Sequence, residues 1–264
     1  MADLRNDLFP DDREPIDPVT MARRDLQKTL PKRFYTEVAV GPHERGHALL
    51  LDGKPVRTPA KDHLVLPTAE LAERLAAEWR AQTELIDPAT MPLTKLANSA
   101  IDGVAKTLDA TAAEVAKFAE TDLVCYRAGG PAPLVAAQSA MWDPILAFAH
   151  EALGARFLCV EGVMYVAQPE PARLAVAQAV DAIAKGPSGA LKLAALNVMT
   201  TLTGSVLTAL AVARTHLTAE EAWATAHVDE DFQARFWGTD ADAIARRERR
   251  WRDMAAAAET YRLS

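Results

Sequence analysis

"LAALNVMTTLTGSVLTALAVA" occupies Leu193 to Ala213, 21 consecutive uncharged residues between Lys192 and Arg214. A run of about 20 apolar residues is long enough to cross a bilayer, so the reading of this stretch separates a membrane protein from a soluble one. Its polar content decides the matter. Asn197, Thr200, Thr201, Thr203, Ser205 and Thr208 interrupt the run, Gly204 sits among them, and no aromatic belt flanks it. The pattern fits one long helix from Ser188 to Arg214, buried on most sides at the centre of a helical domain, with no stable membrane insertion.

The segments around it carry helical periodicity separated by short breaks: Leu93 to Ile101, Ala110 to Cys125, Leu134 to Ala140, Pro144 to Leu153, Pro171 to Lys185, Ala219 to Trp237 and Ala241 to Arg262. Asp143-Pro144 reads as a cap followed by proline at the first helical position. Thr218 with Glu221 reads as a capping box. "ARFLCVEGVMYV", Ala155 to Val166, is the exception and suggests a β excursion or an extended loop.

Upstream the period changes. "RFYTEVAV" from Arg33 alternates, "HALLL" follows from His47, and "HLVLP" from His63 supplies a further short strand. Asp52-Gly53 lies between two β-compatible runs, the sequence of a type I′ hairpin whose central residues must accept positive φ. Pro55 and Pro59 remove ladder donors and belong at an edge or a strand end. From Thr68, a plausible N-cap, Leu71, Leu75 and Trp79 form an apolar helical stripe that would cover one side of the sheet, with Ile86 one step round; Trp79 is therefore read as a packing residue. The expected fold is α+β: a loosely ordered arm over residues 1–30, a small antiparallel sheet with a helix over 31–90, and an all-α orthogonal helical bundle over 91–264.

Composition narrows the function. Half the residues are hydrophobic, enough for a substantial core, and the net charge of -7 opposes a nucleic-acid partner. The arginine-rich "ARRERRWR" from Ala245 is interleaved with acids and fits a solvated helix face. Cys125 and Cys159 form no CxxC pair and have no zinc-type histidine spacing, so they are expected to be reduced thiols in helical or buried settings. The N-terminal residues contain no apolar leader core and are too acidic for a mitochondrial presequence, which points to a bacterial cytoplasmic location. No Gly-x-Gly-x-x-Gly follows a strand, and "GPSGALK" from Gly186 lacks the spacing of a phosphate loop. Cys125 and Ser205 are weak nucleophile candidates inside helical patterns. No catalytic residue, cofactor or metal is expected.

"AHVDEDFQARFWG", Ala226 to Gly238, packs three consecutive acids, a histidine and three aromatic rings into one segment. His227, Asp229 and Asp231 would alternate as ligands on a strand, but on a helix positions i and i+2 diverge and metal geometry is lost. Glu230 lies one turn from His227, Phe232 and Phe236 are read as inward anchors, and Gly238 as an αL terminator. Two readings remain open from the residues alone, a solvated acidic helix face or a recognition surface for a basic or amide-rich partner.

The order and spacing of "KRFY" at Lys32, "LDGKPVRTP" at Leu51, "LPT" at Leu66 with "LAAEW" through Trp79, "MPLTKLANSAID" at Met91, "TDLVCYRA" at Thr121, "WDP" at Trp142, "TGSVLTALAVA" at Thr203 and "AWATAHVDEDFQARFWG" at Ala222 resemble the ATP12 family. The likeness covers nearly the whole chain beyond the arm. It implies an ATP-independent assembly chaperone that binds the unassembled α subunit of F1 ATP synthase and keeps it from aggregating before assembly with the β subunit. It further implies partner binding by Asp229, Glu230 and Asp231, Glu230 foremost. The alternative is a small-molecule enzyme with a site between the two domains, using Glu230 or Cys125.

Overall fold

A computed structural model describes residues 30–264, so the N-terminal arm lies almost wholly outside the described residues. The chain first builds β1 (Val38–His43) and β2 (Gly46–Leu51), paired antiparallel from Val38 opposite Leu51 to His43 opposite Gly46. β3 (Lys54–Pro55) and β4 (Val65–Leu66) share the other edge of β2, at its two ends. Asp52 and Gly53 both hold positive φ, 48° and 75°, as the expected hairpin requires. Pro55 sits on a short exposed strand, where a missing donor costs the sheet little.

Helix α1 (Ala69–Arg80) starts where Thr68 accepts a hydrogen bond from the Leu71 amide, and it buries Leu71, Ala72, Leu75 and Ala76 against β1 and β2. Its last turn joins the two parts of the molecule. The Glu78 carboxylate accepts from the Leu93 and Thr94 amides, at 2.7 and 2.9 Å, and so caps the first turn of α2 (Pro92–Asp102). Burial pushes the Glu78 carboxyl above its ordinary value, with those hydrogen bonds acting in the opposite sense. Trp79 is half-buried beside Tyr35, and its indole N–H donates to Thr94 Oγ1 at 3.1 Å. It packs where the sheet unit meets the bundle as well as on the stripe of α1.

The bundle continues with α3 (Leu108–Lys117), α4 (Ala132–Leu153), α5 (Glu170–Lys185), α6 (Gly189–Thr203), α7 (Val206–Ala213), α8 (Ala219–Ala226), α9 (Val228–Trp237) and α10 (Ala241–Leu263). α6 is its centre, in contact with α2, α3, α5, α7, α8 and α10. That position explains the uncharged run: a helix surrounded by neighbours has no solvated face on which to place charge. Among the described residues no helix is long and apolar enough to cross a membrane.

Several local expectations are corrected. The single helix expected from Ser188 to Arg214 is two, broken where Gly204 turns to φ 67° and Ser205 caps α7 by accepting from the Thr208 amide at 3.0 Å. Ser205 is thus a helix cap, not an interior residue. The helix expected from Ala219 to Trp237 is likewise two, broken at His227. Pro144 lies inside the 22-residue α4 instead of opening a helix, because Trp142 and Ile145 on either side of it are buried in the core and hold the axis through it. The β excursion is real but short: β6 (Val160–Glu161) pairs in parallel with β5 (Tyr126–Arg127). Cys125 ends a 3-10 turn and is buried, as expected, whereas Cys159 is exposed and outside any helix, contrary to the expectation for it.

Candidate partner-binding site

The capping box expected at Thr218 and Glu221 is present and starts α8. The helix stops at His227, whose φ and ψ of -113° and 17° leave the helical range, and α9 begins at the next residue. No side chain caps α9. Its first turn carries Asp229, Glu230 and Asp231, where negative charge complements the unsatisfied amides of a helix N-terminus.

Successive helical residues are about 100° apart, so the three acids fan out around α9 instead of forming one patch. Asp229 turns to α4: its Oδ1 accepts from Gln138 Nε2 at 2.7 Å, while Gln138 Oε1 accepts from the Ala128 amide at 2.8 Å. Asp231 turns to α10 and pairs with both terminal nitrogens of Arg247, the Nη2–Oδ2 contact at 3.0 Å. Glu230 points outward between them. Its side chain is 65% exposed, and among the described residues the nearest opposite group is His227 Nε2 at 3.9 Å.

His227 itself is buried, stacks on Trp223 at 3.9 Å between ring centroids, and places Nδ1 2.7 Å from the Trp223 carbonyl oxygen. Since a carbonyl only accepts, Nδ1 carries the proton and the neutral ring turns the Nε2 lone pair towards Glu230. Burial holds the imidazole below its ordinary value, against the opposing pull of the Trp223 carbonyl and Glu230. The pair is not an ion pair at neutral pH.

The far end of α9 departs from expectation. Phe236, read as an inward anchor, is 70% exposed, and Trp237 is 89% exposed. Phe232 is half-buried with its ring 5.2 Å from that of Phe236. Gly238 holds φ 72° with ψ -175°, so it ends the helix by an extended turn and not by the αL motif. Glu230 and Trp237 are seven residues apart and share a face, about 10 Å from each other along the axis. The sequence reading missed this pairing, although the i to i+7 spacing carries it. It also missed Gln138 and Arg247, which no local signal connects to α9.

Cys125, the nucleophile of the enzyme alternative, is fully buried, and burial pushes its thiol up, away from the reactive thiolate. Among the described residues, no group of three or more His, Cys, Asp or Glu side chains is placed to hold a metal.

A small four-stranded antiparallel sheet covered by one helix and followed by a helical bundle around the buried α6 defines an α+β protein whose larger part is all-helical. The comparison with known proteins specifies it. The model of the ATP12 chaperone protein family matches residues 32–150. A candidate chaperone from Agrobacterium tumefaciens is 47% identical, with a TM-score of 0.84 over 95% of this chain and 92% of that one. Atp12 from Paracoccus denitrificans is 40% identical, with a TM-score of 0.80 over 88% of this chain and 97% of that one, and a mutant of the same protein matches at 0.79. The chain belongs to the ATP12 chaperone family.

Proposed function

We propose that the protein is an ATP-independent assembly chaperone which binds the unassembled α subunit of F1 ATP synthase, in a bacterial cytoplasm, and that α9 presents the binding surface. The observation that carries this reading is Glu230, an exposed carboxylate on the same helix face as the exposed Trp237, held between two acids that are tied into the frame. Asp229 and Asp231 contribute by fixing the direction of α9 from its two flanks. A subunit of a permanent ring exposes apolar surface of about 2,000 Å² or more before assembly, and a transient binder must cover part of it without rivalling the final contact. A lone charge two turns along the same helix face from an aromatic group suits that task, since rim charges govern encounter and selectivity more than ultimate affinity.

Glu230→Lys tests it. Co-expressed with the α subunit, the variant should leave less α subunit soluble and co-purify with less of it, while its melting temperature matches that of the parent. Undiminished recovery of soluble α subunit would reduce the acids to a solvated helix face.

A further inference from the structure

Beside the α9 face lies a groove of about 530 Å³ between α8, α9 and α10. Its floor is aromatic: Trp223 and Trp251 meet at 5.6 Å between ring centroids, and Ile244, 47% exposed, stands at its edge. Its rim is acidic. Glu220 and Glu248 are both exposed, and among the described residues neither has an ion-pair partner. The arginine in the lining, Arg247, is paired with Asp231, and the half-buried Arg250 lies 5.9 Å from the Trp223 ring centroid with Nη2 donating to the Leu202 carbonyl. The exposed Arg246 and Arg249 fall on the opposite side of α10, since the groove-lining positions 243, 244, 247, 248 and 251 occupy a single helical face.

An apolar floor under a rim whose two exposed carboxylates make no ion pair among the described residues selects for two things at once. A large aliphatic or aromatic side chain would displace weakly held water from the tryptophans, and a neighbouring cation would answer the carboxylates. We propose that this groove is a client pocket which takes an exposed segment of the unassembled partner chain carrying a large apolar side chain next to an arginine or lysine. The proposal rests on the reading of α9 as the binding surface, with which the groove is continuous through Asp231 and Ala234. The chain's own arm is a poorer match, because its Leu8-Phe9 pair is followed by Asp11 and Asp12 and would bring like charge to the rim.

The test uses the full chain and short labelled peptides followed by fluorescence anisotropy: Gly-Ser repeats carrying Phe-Arg, Phe-Glu or Ala-Arg at the centre. The Phe-Arg peptide should bind, and should bind at least roughly tenfold more tightly than either of the others. The double variant Glu220→Gln/Glu248→Gln, which keeps side-chain shape at two exposed positions, should erase the preference for Arg over Glu. Ile244→Glu should weaken the Phe-Arg peptide and lower capture of co-expressed α subunit. Equal binding of the three peptides, or full capture of α subunit by Ile244→Glu, would overturn the client pocket while leaving the role of Glu230 standing. Undiminished capture by Glu230→Lys, with selective Phe-Arg binding and lost capture in Ile244→Glu, would show the converse, the pocket standing without Glu230. A wild-type dimer in sedimentation that Ile244→Glu dissociates would give the groove to a second copy, and peptide binding that appears only after residues 1–29 are deleted would give it to the arm; either result overturns the proposal.

Discussion

The molecule breaks two of its helical segments, and the two breaks are built from opposite materials. At Gly204-Ser205 the chain turns inside the core, and fixed partners answer the amides of Leu207 and Thr208 that open α7. The Asp122 carboxylate, fully buried, accepts from the Leu207 amide at 3.1 Å and the Val124 amide at 3.3 Å, and the Leu123 amide donates to the Gly204 carbonyl. At His227 the ring is buried too, but no side chain caps the new helix, and the acids of its first turn are shared between the frame and solvent. The first break closes on fixed partners in the core; the second leaves one of its first-turn acids, Glu230, to solvent. What separates them is the cost of leaving a polar group unanswered, which is large without water and small with it.

The largest effect should come from the first break. Asp122→Ala removes the buried carboxylate that accepts from the Leu207 amide at the start of α7 and leaves that amide unsatisfied in the core, a loss of about 3 to 5 kcal/mol. Urea unfolding measures it. A loss below about 1 kcal/mol would mean that the break needs no fixed partner and that the contrast with His227 is false.

The same carboxyl sets a pH dependence. Burial pushes Asp122 up from 3.8 to about 6, although hydrogen bonds from Ser205, Leu207, Val124 and Val206 act against that rise. Between these values the folded protein holds a proton that the unfolded chain has released. This contribution is therefore fully present below about pH 4 and is lost as pH rises through 6, for a total of about 2 to 3 kcal/mol. Wild type compared with Asp122→Asn at pH 5 and pH 7.5 isolates it, since the amide cannot titrate. An identical pH profile for the two proteins would show that the carboxyl stays ionised throughout.

Much of the fold was readable because its signals are local. Asp52-Gly53, Thr68 and the Thr218-Glu221 box each act within a few residues, and each does what its sequence implies. The uncharged run announced a buried helix for the reason that the structure confirms. Its break did not show, because apolar continuity across Gly204 outweighed the local glycine-serine signal and the decisive partner, Asp122, lies far upstream. Pro144 failed in the opposite way: a local start signal was overridden by core packing of Trp142 and Ile145. The acids of α9 were visible as a cluster, yet their division of labour was not, since the Gln138 contact to Asp229 spans 91 positions.

A smaller effect belongs to the second break. Asp231→Ala removes a half-exposed ion pair with Arg247, which water and salt screen, so stability should fall by no more than about 1 kcal/mol. Capture of α subunit should fall further than that figure suggests, because α9 loses the anchor on its α10 flank. A drop in melting temperature as large as that of Asp122→Ala would make the second break as rigid as the first.

The smallest effect probes Glu230 and His227 directly. Glu230 lies 3.9 Å from Nε2 and favours the protonated ring, while burial opposes it more strongly and keeps the imidazole below its ordinary value. Because the folded value is depressed, the contribution of His227 to stability is present above the unfolded histidine pKa and is lost as pH falls through it, the reverse of the sense for Asp122. Glu230→Gln keeps the shape of the side chain and deletes the charge, so the His227 ring should become harder still to protonate, by a few tenths of a pH unit or about 0.5 kcal/mol. The melting temperature at pH 7.5, where the ring is neutral in both proteins, should not move. Ring-proton NMR across pH 4 to 8 reads the shift. A His227 titration indifferent to the substitution would place the carboxylate away from Nε2 in solution, free to answer a partner's cation alone. A shift larger than one unit would tie Glu230 into the frame as firmly as Asp229, and the two breaks would then differ in the burial of their carboxylates but not in how far their charges are committed.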